Sequence, residues 1–190
     1  MKKKLILFAF LLAVTAGFSQ TIESLKSRTE KMYAATSGTD FKTIMDLTYN
    51  KVFESVDKAT LTSAMENMFR NEFMTISFPS QKPVFTYGPI KEIEGKKFSV
   101  IKYKSAMKMT LAQKPEAAAV QNMIDGLKST GKYSTVTYDE ATNSLNIDGD
   151  ATLIAVSDAS TKNEWEFVNY DSEELFAMVF NANIKKSLGL

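Results

Sequence analysis

The stretch KFSVIKYKSAMKMTLA, residues Lys97–Ala112, decides the fold of this 190-residue chain. From Ile101 onward, apolar side chains alternate with mostly polar ones. Because successive side chains of a strand point to opposite faces of a sheet, this alternation predicts a long strand with one buried face and one face in water. The predicted buried face carries Ile101, Tyr103, Ser105, Met107, Met109 and Leu111, and the predicted outer face carries Lys102, Lys104, Ala106, Lys108 and Thr110.

Such a strand is not stable without partners. Burial of its five large apolar side chains contributes about 7–15 kcal/mol. Ordering the backbone costs about 1–2 kcal/mol per residue. Neighbouring strands and a layer of helices must therefore cover the face that carries Tyr103 and the two methionines.

The periodicity of the remaining sequence predicts an α+β fold. Residues 20–190 are expected to form one domain, in which N-terminal helices pack on a curved, mostly antiparallel sheet, with an inserted helix and a short C-terminal helix. Helical spacing predicts helices over Thr21–Thr36, from Thr39, from Asp57 or Thr60, over Pro115–Gly131 and from Asp171. Alternation between turn residues predicts further strands over Phe73–Ser80, Val84–Tyr87, Ile90–Glu94, Tyr133–Tyr138, Leu145–Val156 and Asn163–Tyr170.

Two of these helices are rich in large apolar side chains. Methionine and phenylalanine stripes usually belong to the core rather than to a cofactor site. This interpretation is applied to the stripe of the third helix, formed by Leu61, Met65, Met68 and Phe69. The last helix starts with a capping-box spacing, Asp171 and Glu174. Most of its sides are apolar, through Leu175, Phe176, Met178, Val179 and Phe180.

The first residues have the pattern of a secretory signal peptide. Lys2–Lys4 are basic, and the apolar run Leu5–Ala16 is too short to span a bilayer. Small residues, Gly17 and Ser19, occupy the positions that a signal peptidase recognises. We expect residues 1–19 to be removed after Ser19 and the mature protein to begin at Gln20 in the periplasm or outside the cell. A short membrane anchor is the alternative interpretation.

Composition excludes several kinds of chemistry. The chain has 23 basic and 22 acidic residues, which does not indicate nucleic acid or an anionic membrane as a partner. It has no cysteine, which removes disulfides, thiol nucleophiles and thiolate metal sites. It also has no histidine, the commonest general acid or base and the commonest metal ligand. No cofactor and no metal site are expected.

The order of helices, antiparallel strands, a W-x-F strand at Trp165–Phe167 and a closing helix resembles the nuclear-transport-factor-2-like superfamily, a cone-shaped α+β fold. The chain is most similar to small exported bacterial members of unknown activity, and it departs from the minimal cone by the helix at Pro115–Gly131. In that superfamily the concave sheet and the N-terminal helices enclose a pocket for small apolar ligands. The resemblance implies a pocket lined by Tyr103, Ser105, Met107, Met109, Trp165 and Phe167. It also implies a homodimer formed through the sheet.

Four groups of polar residues are candidate sites. Ser105 either orients a ligand together with Tyr103, or its hydroxyl is hydrogen-bonded within its own surroundings. We favour the second interpretation. Asn146, Asp148 and Asp150 alternate as in a calcium loop, but the further ligands of such a loop are missing, so a solvated edge is favoured. Asp139 and Glu140 are assigned to a turn. The outer face also carries a stripe of three lysines, Lys102, Lys104 and Lys108. This stripe either binds an acidic partner or an anionic glycan, or it prevents the sheet from pairing with other sheets. We favour the second interpretation.

Two functions follow from these expectations. The favoured one is an exported, non-catalytic module that binds a small apolar ligand or a protein partner in or around a cone-shaped pocket. The alternative is a cofactor-independent lyase or isomerase that acts on a small apolar substrate in the same pocket. The alternative requires an aspartate or glutamate that points into the pocket beside a tyrosine or tryptophan, whereas the positions expected to point inward are apolar or weakly polar. No catalytic residue is assigned.

Overall fold

The computed structural model describes residues 20–79, 81–170 and 173–190. The predicted signal peptide lies outside the described residues, and so does Asp171 of the predicted capping box. Within the described residues the α+β class is confirmed.

Helices occupy both ends of the chain and one position between strands. The N-terminal helices are α1 (Ile22–Ser37), α2 (Phe41–Leu47), a 3₁₀ helix (Asn50–Glu54) and α3 (Lys58–Phe69). The inserted helix is α4 (Ala117–Ser129), and two short helices, α5 (Glu173–Val179) and α6 (Ala182–Leu188), follow the last strand. Side-chain oxygens of Thr21, Asp40 and Asp57 accept hydrogen bonds from the backbone N–H of the third residue of α1, α2 and α3, respectively, which explains where these helices begin.

The strands form one antiparallel sheet of seven strands that does not close into a barrel. They are β1 (Met74–Ser77), β2 (Thr86–Tyr87), β3 (Lys91–Ile93), β4 (Lys96–Leu111), β5 (Tyr133–Asp139), β6 (Ser144–Ser157) and β7 (Glu166–Asn169). The main order is β1-β4-β6-β5, with β2 and β3 also paired to β4 and β7 paired to β6. The long strand predicted from Lys97 is therefore the centre of the sheet, because it pairs with β6 from Lys97 to Thr110.

Each face of the sheet is covered by different helices. The first face, which carries Ile101, Leu153 and Phe167, packs against α1 and α2 through Leu25, Met32, Ile44, Met45 and Leu47. Farther along the same face, Leu145, Ile147 and Val136 pack with Met107 and Met109 and with Met123, Ile124 and Leu127 of α4. The expected burial of the apolar face of β4 is thus achieved by two separate helical layers.

The second face is polar over only part of its length. Lys102 and Lys104 are exposed, as predicted, and Lys104 Nζ lies 2.7 Å from Asp150 Oδ1. Near the start of β4, however, the same face is covered by the two C-terminal helices. There Phe98, Ile154, Val156 and Val168 pack with Phe176, Phe180, Ile184 and Leu188. The sheet is consequently buried on both faces at this end.

Candidate functional site

A cavity of about 540 Å³ lies where the N-terminal helices, strand β7 and helix α5 meet. Strand β7 pairs with β6 along one edge and forms a single bridge to Thr48 along the other. The residue after this bridge, Tyr49, donates its backbone N–H to the carbonyl oxygen of Phe167 at 2.9 Å. The chain that leaves α2 is thereby fixed against β7. Beyond the bridge, β7 lines the cavity through Phe167, Val168 and Asn169.

The floor of this cavity is buried core, whereas its mouth is exposed apolar surface. Met32 of α1, Ile44 and Met45 of α2 and Phe167 of β7 line it and are buried. At the mouth, Met68 of α3 is 51% exposed, and Leu175 and Met178 of α5 are 45% and 62% exposed. Among the described residues six large apolar side chains are exposed, and these three share one cavity. Such a concentration of exposed apolar surface is typical of a binding site.

The apolar stripe of α3 belongs to the core over most of its length and also lines the cavity. Phe69 is buried, and Leu61 and Met65 are half-buried and pack against the core cluster of the first face. Met68 is 51% exposed and lines the cavity together with Leu61 and Met65. Helix α3 packs against α2 and against strand β1 at the edge of the sheet.

Polar groups in the cavity are few and uncharged. Among the described residues that line the cavity none has an ionisable side chain, and the polar ones are Thr48, Ser55 and Asn169. The Thr48 hydroxyl donates to the carbonyl oxygen of Ile44 at 2.8 Å and is satisfied within its own helix turn. The described lining therefore favours apolar ligands.

The six residues expected to line one pocket do not lie in one place. Phe167 lines the cavity; Trp165 and Tyr103 pack in the same core cluster without lining it. Met107 and Met109 pack under α4, and Ser105 is half-buried opposite Gly149 of β6. A strand rises about 3.3 Å per residue, so Tyr103 and Met109 are about 20 Å apart along β4. A contact between any of these residues and a ligand stays a prediction.

Trp165 and Tyr103 make well-defined contacts inside the protein. Trp165 is fully buried just before β7, and its indole N–H donates to Ser24 Oγ at 3.2 Å. The Tyr103 ring packs edge-on against Tyr33 and Phe85, with centroid distances of 6.1 and 5.3 Å. These contacts hold α1 onto the first face of the sheet.

A buried carboxylate does lie beside a tyrosine, but outside this cavity. Asp158, in the β6–β7 connection, accepts a hydrogen bond from the Tyr49 hydroxyl at 2.8 Å through Oδ2. Its Oδ1 accepts from the Ser160 amide, the Ser160 hydroxyl and the Thr161 amide. Burial alone would raise the pKa of Asp158, but these hydrogen bonds outweigh it and hold the pKa below its ordinary value. Asp158 lines no part of the cavity, and its oxygens are used to shape the connection.

Glu166 is the neighbouring half-buried carboxylate. It accepts a hydrogen bond from the Asn50 amide at 2.9 Å, and burial raises its pKa despite this bond. Burial also raises the pKa of Tyr49, and the hydrogen bond to Asp158 raises it further. Together Tyr49, Asp158 and Glu166 join the segment after α2 to both ends of the β6–β7 connection.

The remaining polar candidates are surface features. Asp139 accepts from the Ala141 amide and the Thr142 hydroxyl in the β5–β6 turn, and Glu140 pairs with Lys114 at 2.5 Å. Asn146, Asp148 and Asp150 are exposed on the second face. Among residues 20–79, 81–170 and 173–190, no group of three or more His, Cys, Asp or Glu side chains is placed to hold a metal ion.

The chain matches no protein-family model, and it has no significant match among curated proteins. Across the described part of the chain, every helix is too short or too polar to cross a membrane.

Sequence reasoning missed the cavity, although one signal for it was present. The last helix is apolar on most of its sides, whereas a helix on the surface of a domain buries only one stripe. In α5 the residue buried in the core is Phe176, whereas Leu175 and Met178 line the cavity. Two helices with surplus apolar residues, α3 and α5, therefore pointed to a shared surface.

Proposed function

We propose that this protein is an exported, non-catalytic module that binds a small apolar ligand in the cavity between α3, α5 and β7. The observation that carries the proposal is the cavity itself, which is lined almost entirely by apolar side chains and has Met68, Leu175 and Met178 exposed at its mouth. Its volume of about 540 Å³ lies within the range of about 300–1,000 Å³ that is usual for small-molecule sites.

The lining suggests the class of ligand. Removing apolar surface from water stabilises a complex by roughly 25 cal/mol per Å². Against the described lining a charged group would be desolvated without a charged partner, since none of those side chains is ionisable. The hydroxyl of Ser55 and the amide of Asn169 offer hydrogen bonds to one neutral polar group. The ligand that fits has an apolar body and at most such a group.

Methionine suits this role. It has three rotatable bonds and a polarisable sulfur, so a surface formed by Met65, Met68 and Met178 adapts to ligands of different shape. The buried floor under these side chains remains fixed by the core. A protein partner would need to insert a side chain into the same cavity.

The test uses the neutral fluorescent probe N-phenyl-1-naphthylamine. Trp165 is the only tryptophan of the chain and precedes the strand that lines the cavity, so energy transfer from Trp165 to bound probe reports occupancy. Ala64→Phe places a ring in the cavity and is expected to weaken probe binding by about tenfold, or about 1.4 kcal/mol. The control is Ala59→Phe on the same helix, outside the lining. Equal binding by both variants and the original protein would contradict the proposal.

The lyase or isomerase alternative finds less support. It needs an ionisable side chain at the ligand, and the lining residues that the structure describes have none. The buried Asp158 beside Tyr49 accepts four hydrogen bonds from its own surroundings, and it is not one of the residues that line the cavity. A non-catalytic role is therefore the better proposal.

Export and family membership are part of the same proposal. The basic Lys2–Lys4, the apolar Leu5–Ala16 and the small residues before Gln20 support cleavage after Ser19. N-terminal helices on an antiparallel sheet support a place in the nuclear-transport-factor-2-like superfamily, with α4 as an insertion. Mass spectrometry of protein expressed in a bacterial host and recovered from outside the cytoplasm is expected to find Gln20 first. An intact Met1–Ser19 segment would remove the export claim.

A further inference from the structure

The two most exposed methionines of the described residues lie at the mouth of the cavity. Of the ten methionines in the chain, Met1 lies outside the described residues, and among the others only Met68 and Met178 are more than half exposed. Both line the cavity, one from α3 and the other from α5. The remaining seven are half-buried or buried. In the part of the chain that the structure describes, exposed thioether sulfur is thus concentrated at this mouth.

Other side chains that react readily with oxidants are absent or shielded. The chain has no cysteine, whose thiolate is the usual target of peroxide in a protein. Trp165 is the only tryptophan, and it is fully buried. Methionine is then the side chain that an oxidant modifies first, and exposure decides which methionine it reaches.

We propose that Met68 and Met178 are sites of reversible oxidation by peroxide, and that their oxidation prevents the apolar ligand from binding. This inference rests on the proposed function, because it concerns the same cavity. In the reaction a sulfur lone pair attacks one oxygen of hydrogen peroxide, and the O–O bond breaks. The attacked oxygen becomes the sulfoxide oxygen, and its proton passes to the departing hydroxide, which leaves as water. The sulfur loses two electrons and the peroxide gains them.

The change in polarity at the mouth causes the effect on binding. A thioether is apolar and flexible, whereas a sulfoxide has a polar oxygen that accepts hydrogen bonds from water. A ligand that covers the mouth removes this water. The other lining residues that the structure describes on α3 and α5 are apolar: Leu61, Ala64, Met65, Leu175 and Val179. These side chains do not replace the lost hydrogen bonds, so the oxidised mouth disfavours the bound state.

The first experiment measures where oxidation occurs, with no ligand present. The mature chain, residues 20–190, is treated with hydrogen peroxide, and peptide mapping by mass spectrometry follows each methionine. Met68 and Met178 are expected to become sulfoxides several-fold faster than the half-buried Met74, Met107 and Met123. Equal rates at the exposed and the half-buried positions would overturn the assignment of the sites.

The second experiment measures the consequence for binding. Protein oxidised at Met68 and Met178 is expected to bind the naphthylamine probe at least about tenfold more weakly than reduced protein. Thermal melting checks that the oxidised protein remains folded. The two methionine sulfoxide reductases, one for each sulfoxide epimer, are expected to restore the affinity in the presence of dithiothreitol. Unchanged affinity after oxidation would overturn the inference.

Protection by the probe supplies a matched pair of variants. Saturating probe covers the two sulfurs and is expected to slow their oxidation in the original protein and in Ala59→Phe, whose substitution lies outside the lining. In Ala64→Phe, which places a ring in the cavity, the probe is expected to change the rates little. Equal protection in both variants would show that the probe acts away from the cavity, and would overturn the link between oxidation and binding.

Failure of the proposed function gives a different result from failure of this inference. If the reduced protein does not bind the probe, the ligand site is rejected, and the effect of oxidation on binding is rejected with it. The sites of oxidation are still decided by the peptide mapping. If the reduced protein binds the probe and the oxidised protein binds it equally well, the ligand site stands and the inference is wrong.

Discussion

The hydroxyl of Tyr49 donates a hydrogen bond to Asp158 Oδ2 at 2.8 Å, across 109 positions of sequence. The Tyr49 ring is fully buried and stacks on Phe180, with centroids 5.6 Å apart and planes at 13°. Its backbone amide also bonds to Phe167 of β7. Tyr49 thus fixes the segment after α2 to the strand that forms part of the cavity floor.

Removal of this hydroxyl is expected to destabilise the protein. Tyr49→Phe leaves Asp158 Oδ2 buried without its partner, which costs about 1–3 kcal/mol. The control is Tyr33→Phe, because the hydrogen bond from the Tyr33 hydroxyl to the Gln81 carbonyl is exposed and long, at 3.4 Å. The free energy of unfolding in urea measures both. A loss for Tyr49→Phe no larger than for Tyr33→Phe would show that the bond contributes nothing.

Asp158 is expected to make the protein sensitive to acid. Its pKa in the folded state is lower than the ordinary value of 3.8, so its contribution to stability is present above that value and is lost as the pH falls through the folded pKa. Asp158→Asn is expected to be less stable than the original protein at pH 7. We expect this difference to shrink below about pH 4. Urea denaturation between pH 7 and pH 3 measures it, and a constant difference would be the contrary result.

Glu166 is expected to behave in the opposite way. Burial raises its pKa above the ordinary 4.5, so ionisation of Glu166 costs more in the folded than in the unfolded state. Stability is consequently lost as the pH rises from the ordinary value through the raised one. Glu166→Gln keeps an acceptor for the Asn50 amide and removes this loss. Relative to the original protein, the variant is expected to become more stable between about pH 4 and pH 7, and a relative decline would refute the assignment.

Two neighbouring substitutions test which face of the sheet each side chain of β4 lies on. Met107 packs under α4, so Met107→Asp is expected to destabilise the protein by several kcal/mol, about 3 or more. Lys108 points to the second face, opposite Asn146. Lys108→Asp is expected to change stability by no more than about 1 kcal/mol. Thermal melting of the two variants decides, and equal shifts would show that the strand faces are misassigned.

Much of the fold could be predicted because its signals are local. The alternation after Ile101 sets the strand and its faces, and the turn at Glu94–Gly95 follows directly, with φ of 54° and 72° at these two residues. The stripe of α4 and its end at Gly131, where φ is 71°, were equally visible. Each of these features depends only on residues close together in sequence.

The location of the cavity depends on residues that are far apart in sequence. The stripe of Leu61, Met65 and Met68 has the same spacing whether all of it is buried or, as here, Met68 is left exposed. The pocket expected along β4 combined residues that share a face but lie about 20 Å apart along the strand. The face on which a side chain lies depends on the local alternation of the strand. Which side chains lie close together in space depends on the whole fold.

By itself, then, the sequence determined the period of each segment, the sites where helices begin and strands turn, and the lack of histidine and thiol chemistry. Only the tertiary structure decided which apolar stripes meet one another. It placed α3 at the edge of the sheet, with α5 lining the same cavity, and left Met68 and Met178 exposed at the mouth. The physical reason is that apolar side chains pack with the neighbours that the sheet topology brings close. Those neighbours are set by the pairing of strands that are distant in sequence, such as β1 and β4.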